Sequence, residues 1–347
     1  MIPLRARPSP RPRGSRTSSY MPTAPRELCG TTDEVRLSSI IVLLARRNLL
    51  PPGSIVDAGA NLGYESCLYS EVARGRTIHA IDPMHLNVQW LERMAKQRPF
   101  IQPLLGALGS SAQTFYVPKE KSRRPSQQIS IASDLAAGHR DHWGALNVRQ
   151  ATHKQSSELR QSFPVERLDT HFRTRWANET LGFAHFDAEG NELDVLHGGE
   201  ETIRRDRPIF TVEVNVQRTP IYTTKLLSFI TDRLGYDAFL VDEECGLPLD
   251  CRNLVCVPRA RRQLHAKVTA LLTDPNSTGA IVWGVDATNI LQHGYPCCRQ
   301  DAACCHTRLC CSHTTVPYPL ARLPPEHRGP FRKGRGGKWD EIVSALH

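Results

Sequence analysis

Apolar positions along this chain follow two rhythms that alternate. Short apolar runs stand at 54–59 (SIVDAG), 77–82 (TIHAID), 101–108 (IQPLLGAL), 182–190 (GFAHFDAEG, with its exit loop) and 208–215 (PIFTVEVN). Their length and bounding glycines and prolines predict buried strands. The stretches between them have helical periodicity. Residues 33–48 predict a helix that PPG at 51–53 ends, with Asp33 placed to favour its N-terminus. Residues 63–73 put Tyr64, Leu68 and Val72 on one face, and residues 84–97 predict a further helix. A helix after residue 190 carries Leu193, Leu196 and Ile203 on one stripe, and residues 222–234 turn Leu226, Leu227, Ile230 and Leu234 inward. Repeated strand–helix units predict a parallel sheet covered by helices on both faces. YDAFLVD (236–242) and NLVCVP (253–258) then follow with no helix between them. They predict a closing hairpin, so the last of seven strands runs antiparallel to the rest.

Outside this region the pattern fades. Residues 1–30 are rich in Pro and Arg and predict a disordered leader, with Met21 as an alternative start. The folded domain is expected over 31–262, with a polar insertion or lid at 119–162. Residues 263–347 are expected to form a poorly ordered extension. Charge sharpens this division. The chain carries +9 net. Residues 1–30 hold six Arg and one Glu, and residues 299–347 hold eight Lys or Arg and four Asp or Glu, so 31–298 are neutral. A nucleic-acid-binding domain carries its basic patch on the folded surface, so no nucleic-acid partner is expected. No apolar run is long enough to span a bilayer. An Arg- and Ser-rich, acid-free start resembles an organelle import signal, although its prolines oppose an amphipathic helix. The expected location is the cytoplasm, with organelle import as the alternative. No secretory core is visible, so the sequons at Asn178 and Asn276 are expected to be unused.

Six of the eleven cysteines fall in CCRQDAACCHTRLCC (297–311). Their spacing suits a zinc site poorly. A low-complexity extension is expected there, with soft-metal binding as the alternative. Cys245, Cys251 and Cys256 surround the closing hairpin and are expected as free thiols. The sequence does not specify an oligomeric state.

The chemistry concentrates in VDAGANLGYES (56–66). A glycine turn between strand and helix holds a nucleotide-like ligand against backbone. A dinucleotide site requires G-x-G-x-x-G, but Asn61 stands at the second glycine, and no lysine follows as in a phosphate loop. Asp57 ends the strand, where it would repel a pyrophosphate and attract an ammonium. Gly59 and Gly63 permit positive φ and close approach. Asp82 ends the next strand, where an acid can accept both ribose hydroxyls of an adenosine. A ligand cationic at one end and adenosine at the other is S-adenosylmethionine. With the closing hairpin, this predicts the class I methyltransferase fold, a Rossmann-like three-layer sandwich.

These segments resemble the FkbM-type methyltransferases. IVDAGANLGYES resembles the family's first motif, AIDP its second-strand acid, and ALGSSAQTFYVP and VERLD the segments before strand four. FDAEGNELDVLHGG (186–199) resembles its D-x-E-G-x-E signature, and RPIFTVEVN the strand ending in Glu. The resemblance runs from about 50 to 258. It implies that Asp57, Gly59, Asn61 and Gly63 line the methionine end of the cofactor, that Asp82 takes the ribose, and that Asp187 and Glu189 stand where the methyl group moves. His185 departs from the family's frequent Lys, and Asn191 from its aromatic or small residue. The resemblance further implies transfer to a hydroxyl of a small molecule or carbohydrate.

A hydroxyl acceptor must lose a proton, and Asp187, Glu189, His185 and Glu213 are the candidates to take it. On an extended strand His185 and Asp187 share a face. Each has a structural reading too: Glu189 as a brace for the next helix, Glu192 as a first-turn acid favoured by the helix dipole, His185 as a buried, satisfied side chain. Carboxylates at one mouth could instead hold a divalent cation, although no metal ligands are assigned. A scaffold that binds the cofactor without catalysis is one alternative function. A nicotinamide-dependent dehydrogenase is another, disfavoured by Asp57 and the missing glycine.

Overall fold

A computed structural model describes residues 29, 35–118, 129–130, 146–147, 160–214, 220–242, 252–278 and 282–287. The leader apart from Cys29, most of the 119–162 insertion, Cys245, Cys251 and the cysteine-rich 297–311 lie outside the described residues.

The described elements run α1 (Val35–Arg46), β1 (Ser54–Ala58), α2 (Tyr64–Val72), β2 (Ile78–Asp82), α3 (His85–Ala95), β3 (Ile101–Leu105), β4 (Ala107–Leu108), β5 (Gln113–Pro118), β6 (Ile129–Ser130), β7 (Leu146–Asn147) and β8 (Arg160–Glu166). There follow α4 (Leu168–Arg173), β9 (Leu181–Phe186), α5 (Glu192–Gly198), α6 (Glu200–Asp206), β10 (Ile209–Glu213), α7 (Pro220–Ser228, continued by one π-helical stretch Phe229–Leu234), β11 (Tyr236–Asp242), β12 (Arg252–Pro258), α8 (Arg262–Leu272), α9 (Pro275–Thr278) and β13 (Val282–Val285).

The main sheet has the order β13-β11-β12-β10-β9-β1-β2-β3. Strands β3, β2, β1, β9 and β10 are parallel, and β12 lies antiparallel between β10 and β11. This is the class I methyltransferase fold, and the predicted hairpin is present. Every residue of β1, β2 and β9 is buried, as a parallel sheet covered on both faces requires. Alternate residues feed opposite layers. Ile55, Ile78, Phe183 and Ile209 pack with Leu37, Ile40 and Leu44 of α1 and with Leu91 of α3. Val56, Ile81, Ala184 and Phe210 pack with Leu196, Ile203, Leu226 and Ile230 on the other side. The helices expected over 33–48 and 222–234 therefore supply faces that clamp the sheet from opposite sides.

Four features differ from the sequence expectation. The third apolar run divides at Gly106: β3 stays in the main sheet, and β4 leaves it to join β5 and β8 in a small three-stranded sheet. The helix after strand four is two helices that meet at Gly199. An eighth strand, β13, pairs antiparallel with β11, and α8 buries Val268 and Leu272, so residues beyond 262 complete the sheet and one core layer. Cys29 is disulfide-bonded to Cys67 of α2, with the Cα atoms 5.3 Å apart. Local periodicity encodes none of these, because each depends on a partner distant in sequence. Cys256 is a free, buried thiol, as expected. Among the described residues no helix is long and apolar enough to cross a membrane.

Candidate functional site

The carboxyl ends of β1, β2 and β9 converge, and the turn after β1 threads between the other two. The Gly59 and Ala60 amides donate to the Ile81 carbonyl at 2.9 and 3.0 Å, and the Asp187 amide donates to the Ala58 carbonyl at 2.9 Å. The turn is packed so closely that a Cβ on Gly59 (φ 88°) would fall 1.8 Å from the Asp187 carbonyl oxygen, and one on Gly63 (φ 82°) would fall 2.6 Å from a Leu91 methyl. Between them Asn61 takes φ 47°, a left-handed conformation that Asn tolerates better than most residues. Its amide donates to Asp82 Oδ2 at 2.8 Å, which ties the turn to the end of β2.

Asp57 is fully buried. Its Oδ2 accepts a hydrogen bond from the Ser66 hydroxyl of α2, and its Oδ1 is buried without a partner. Burial, with the nearby Glu65, Asp187 and Asp82, holds its carboxyl well above the usual range. Asp82 is also buried. It accepts from the amides of Asn61 and Met84 and from the Asn87 side-chain amide. Those bonds offset the burial only in part, and its pKa stands at about 7. With three bonds accepted, an ionised carboxylate keeps lone-pair capacity for a hydroxyl.

The exit of β9 is organised by a residue that the sequence reading treated as a first-turn acid. Glu192, at the start of α5, reaches back so that Oε1 accepts from the Ala188 and Gly190 amides at 3.1 and 2.9 Å. Its Oε2 accepts from the Tyr222 hydroxyl at 2.9 Å. The loop Asp187–Gly190 is thus curled around one carboxylate, which accounts for the last acid of D-x-E-G-x-E. The curl puts Glu189 at φ 52°, a conformation that costs a non-glycine residue about 1 kcal/mol or more. Burial raises Glu192 to about 7. Oxygens of Asp187, Glu192 and Glu213 lie within 4.8 Å of one another. These are the described residues able to face a single cation together. Glu213, at the end of β10, is raised well above its usual value by burial first and then by Asp187, Glu189 and Glu192, and it shares a hydrogen bond with the Asp187 side chain. Asp187 keeps Oδ1 buried without a partner.

A cleft opens here, lined by Gly59, Asn61, Asp82, Asp187, Glu189 and Asn191. Five of the sequence-predicted residues therefore face one space, and Asp57 and Gly63 support it from below. His185 stands apart: it is buried, and Nδ1 lies 2.8 Å from the Thr211 hydroxyl on β10. Burial lowers its pKa despite the Asp187 charge. Sequence reasoning missed Ser66 and Asn87, which hydrogen-bond Asp57 and Asp82, and the grip of Glu192 on its loop. The acid directly after the D-x-E-G turn was the available signal for the last.

The site fits S-adenosylmethionine by its donor set: an unpaired buried carboxylate oxygen, a second acid one strand away, and a turn with no room for a Cβ at Gly59 or Gly63. The profile of the methyltransferase FkbM domain matches residues 57–238. Among solved structures, the chain is similar to an FkbM methyltransferase from Methylobacillus flagellatus KT (17% identity, TM-score 0.37, covering 58% of this chain and 43% of that one). It is also similar to a precorrin-6y C5,15-methyltransferase from Geobacter metallireducens GS-15 (11%, 0.32, 66% and 90%). A third is fibrillarin from Aeropyrum pernix, solved with natively bound S-adenosyl-L-methionine (10%, 0.35, 65% and 76%). The chain spans less than half the length of the first of these. No curated protein sequence matches it. With more than half of its length matched by the profile, the chain belongs to the FkbM methyltransferase family.

Proposed function

We propose that this protein is an S-adenosylmethionine-dependent methyltransferase that methylates a hydroxyl of a small molecule or carbohydrate. The observation that carries the reading is the fully buried Asp57, whose Oδ1 has no partner beneath a glycine turn. An unpaired buried carboxylate is costly unless a cation completes it, and the cofactor's ammonium is such a cation. Gly59, Asn61 and Gly63 bring backbone against the methionine end, and Asp82 accepts a ribose hydroxyl. When bound, the cofactor supplies an electrophilic methyl group on a sulfonium. The chain's own work is then alignment and proton removal. Asp187 takes the acceptor's proton on its unpaired oxygen while Glu213, kept protonated, donates to the other. Glu189 orients the acceptor from the cleft wall. His185, bonded to Thr211 under the strand, positions Asp187 and does not reach the acceptor.

Calorimetric titration with S-adenosylmethionine and its demethylated product tests the cofactor half, and saturable binding that Asp57→Ala removes is the expected result. Failure of the intact chain to bind would overturn the reading. A panel of hydroxylated acceptors with labelled methyl donor tests the other half. Binding without transfer to any acceptor would favour a scaffold.

The proximity of the Asp187, Glu192 and Glu213 oxygens favours one second reading, in which a divalent cation held there binds the acceptor's oxygens. Loss of transfer on chelation and recovery with Mg²⁺ or Mn²⁺ would select it.

A further inference from the structure

Against the expectation of a cytoplasmic chain with unused sequons, we infer that this chain matures in an oxidising, glycosylating compartment, and that Asn178 carries an N-linked glycan. Two independent features point there. The first is the Cys29–Cys67 bridge. Cys67 is fully buried on α2, one turn after Gly63, and Cys29 packs against the same core layer. Stable disulfides of this structural kind form where thiols are oxidised and are rare where glutathione keeps them reduced. The second is the sequon Asn178-Glu179-Thr180, an acceptor for glycosylation when it lies on the surface of a secreted chain.

The local structure suits a glycan. Asn178 is exposed in the turn between α4 and β9, and its side chain makes no hydrogen bond to the described residues. Its neighbours are held firmly: Trp176 is buried and stacked on His79 and His171, Glu179 bonds His79 at 2.8 Å, and the Thr180 carbonyl accepts from the Ser54 amide and hydroxyl. Asn178 is thus a free amide at the tip of a fixed turn. It precedes the amino end of β9, whereas the cleft lies at the carboxyl end. Six extended residues separate the two ends, about 20 Å at roughly 3.3 Å per residue. A bulky, solvated glycan there would shield the turn and leave the cleft open. The other sequon, at Asn276, has its side chain outside the described residues, so the inference is confined to Asn178.

The chemistry balances with luminal reagents. The Asn178 amide nitrogen displaces a polyprenyl diphosphate from C1 of a lipid-linked oligosaccharide, forming N–C, breaking C1–O and releasing the amide proton. The two thiols lose two electrons and two protons to a disulfide oxidant, which becomes a dithiol.

The test is mass spectrometry of the full chain isolated from its source cells after acid quenching and thiol alkylation. Treatment with peptide-N-glycosidase in ¹⁸O-water should convert Asn178 to ¹⁸O-labelled Asp, and Cys29 and Cys67 should appear in one linked peptide until reduced. In parallel, Asn178→Gln produced in the same cells should migrate faster by one glycan's increment and bind S-adenosylmethionine as the parent does. An unmodified Asn178 peptide overturns the proposal, and so do alkylated Cys29 and Cys67. Neither depends on whether the cleft binds the cofactor.

Discussion

Buried carboxylates occur in two settings in this molecule, and the contrast separates fold from chemistry. Asp206, near the amino end of the sheet, accepts from the Leu181 amide at 2.8 Å and from the Arg205 guanidinium through two bonds at 2.7 Å. Asp169 accepts from Arg167 at 2.9 Å and from the Thr202 amide at 2.8 Å. Each is closed off by a cation and by backbone. At the carboxyl end, Asp57 has one hydroxyl and an unpaired oxygen. Asp82 and Glu192 have only neutral donors, and burial drives both up to about 7. Water left behind by a paired carboxylate is replaced within the chain. At the cleft part of that compensation is missing, and the proposed cofactor, cationic and hydroxyl-bearing, would supply it.

The largest expected effect tests that distinction. Asp57→Ala should weaken S-adenosylmethionine binding by roughly 100-fold or more, the order expected when a buried ammonium loses its contacting counter-charge, while urea unfolding of the ligand-free protein changes little or shifts toward stability. Equal affinity in calorimetry would mean that the unpaired oxygen does not face the cofactor. Asp187→Asn should divide the two halves of the reaction, with turnover falling about 100-fold or more and cofactor affinity staying within about threefold. If both fall together, Asp187 serves binding rather than proton transfer. Asp206→Ala belongs to the other class. It should cost about 2–3 kcal/mol of unfolding free energy, because the Leu181 amide loses its acceptor and the ion pair is broken. Cofactor affinity of the folded protein should be unchanged. A variant that folds normally but binds poorly would erase the proposed boundary between the two settings.

The sequence made the carboxyl-end site more legible than its surroundings, for a physical reason. Asp57, Gly59, Asn61 and Gly63 act within seven consecutive residues, and positive φ leaves its mark in local composition. Asp82 could be placed because a buried strand fixes where its last residue emerges. The grip of Glu192 on Ala188 and Gly190 is equally local, but it looked like an ordinary helix-start acid. The remaining differences are long-range. Gly106 sends the chain to β8, more than fifty residues on; β13 finds β11 across β12, α8 and α9; Cys29 finds Cys67 at a separation of 38. His185 shows the limit of alternation. It shares a face with Asp187 on an ideal strand, yet β9 ends at Phe186, so the strand's periodicity no longer governs where Asp187 points.

The smallest expected effect concerns pH. Burial holds Glu192 and Asp82 up at about 7 in the folded chain, against ordinary values of 4.5 and 3.8. The folded state therefore binds more protons than the unfolded state between those limits. Stability of the ligand-free protein must then fall as pH rises from about 4 to about 7 and level off above, the reverse of a salt-bridged acid such as would be lost on acidification. Melting curves from pH 5 to 8 should show a decline of several degrees. Glu192→Gln, which keeps an acceptor for the Ala188 and Gly190 amides but carries no charge, should remove part of that slope, about 3 °C at roughly 2–4 °C per kcal/mol. Saturating S-adenosylmethionine should reduce it further, because the ligand's hydroxyls and positive charge stabilise the ionised acids around the cleft. A slope identical in parent, variant and complex would mean that these carboxylates are already compensated as well as Asp206 is, and the contrast between the two ends of the sheet would lose its chemical meaning.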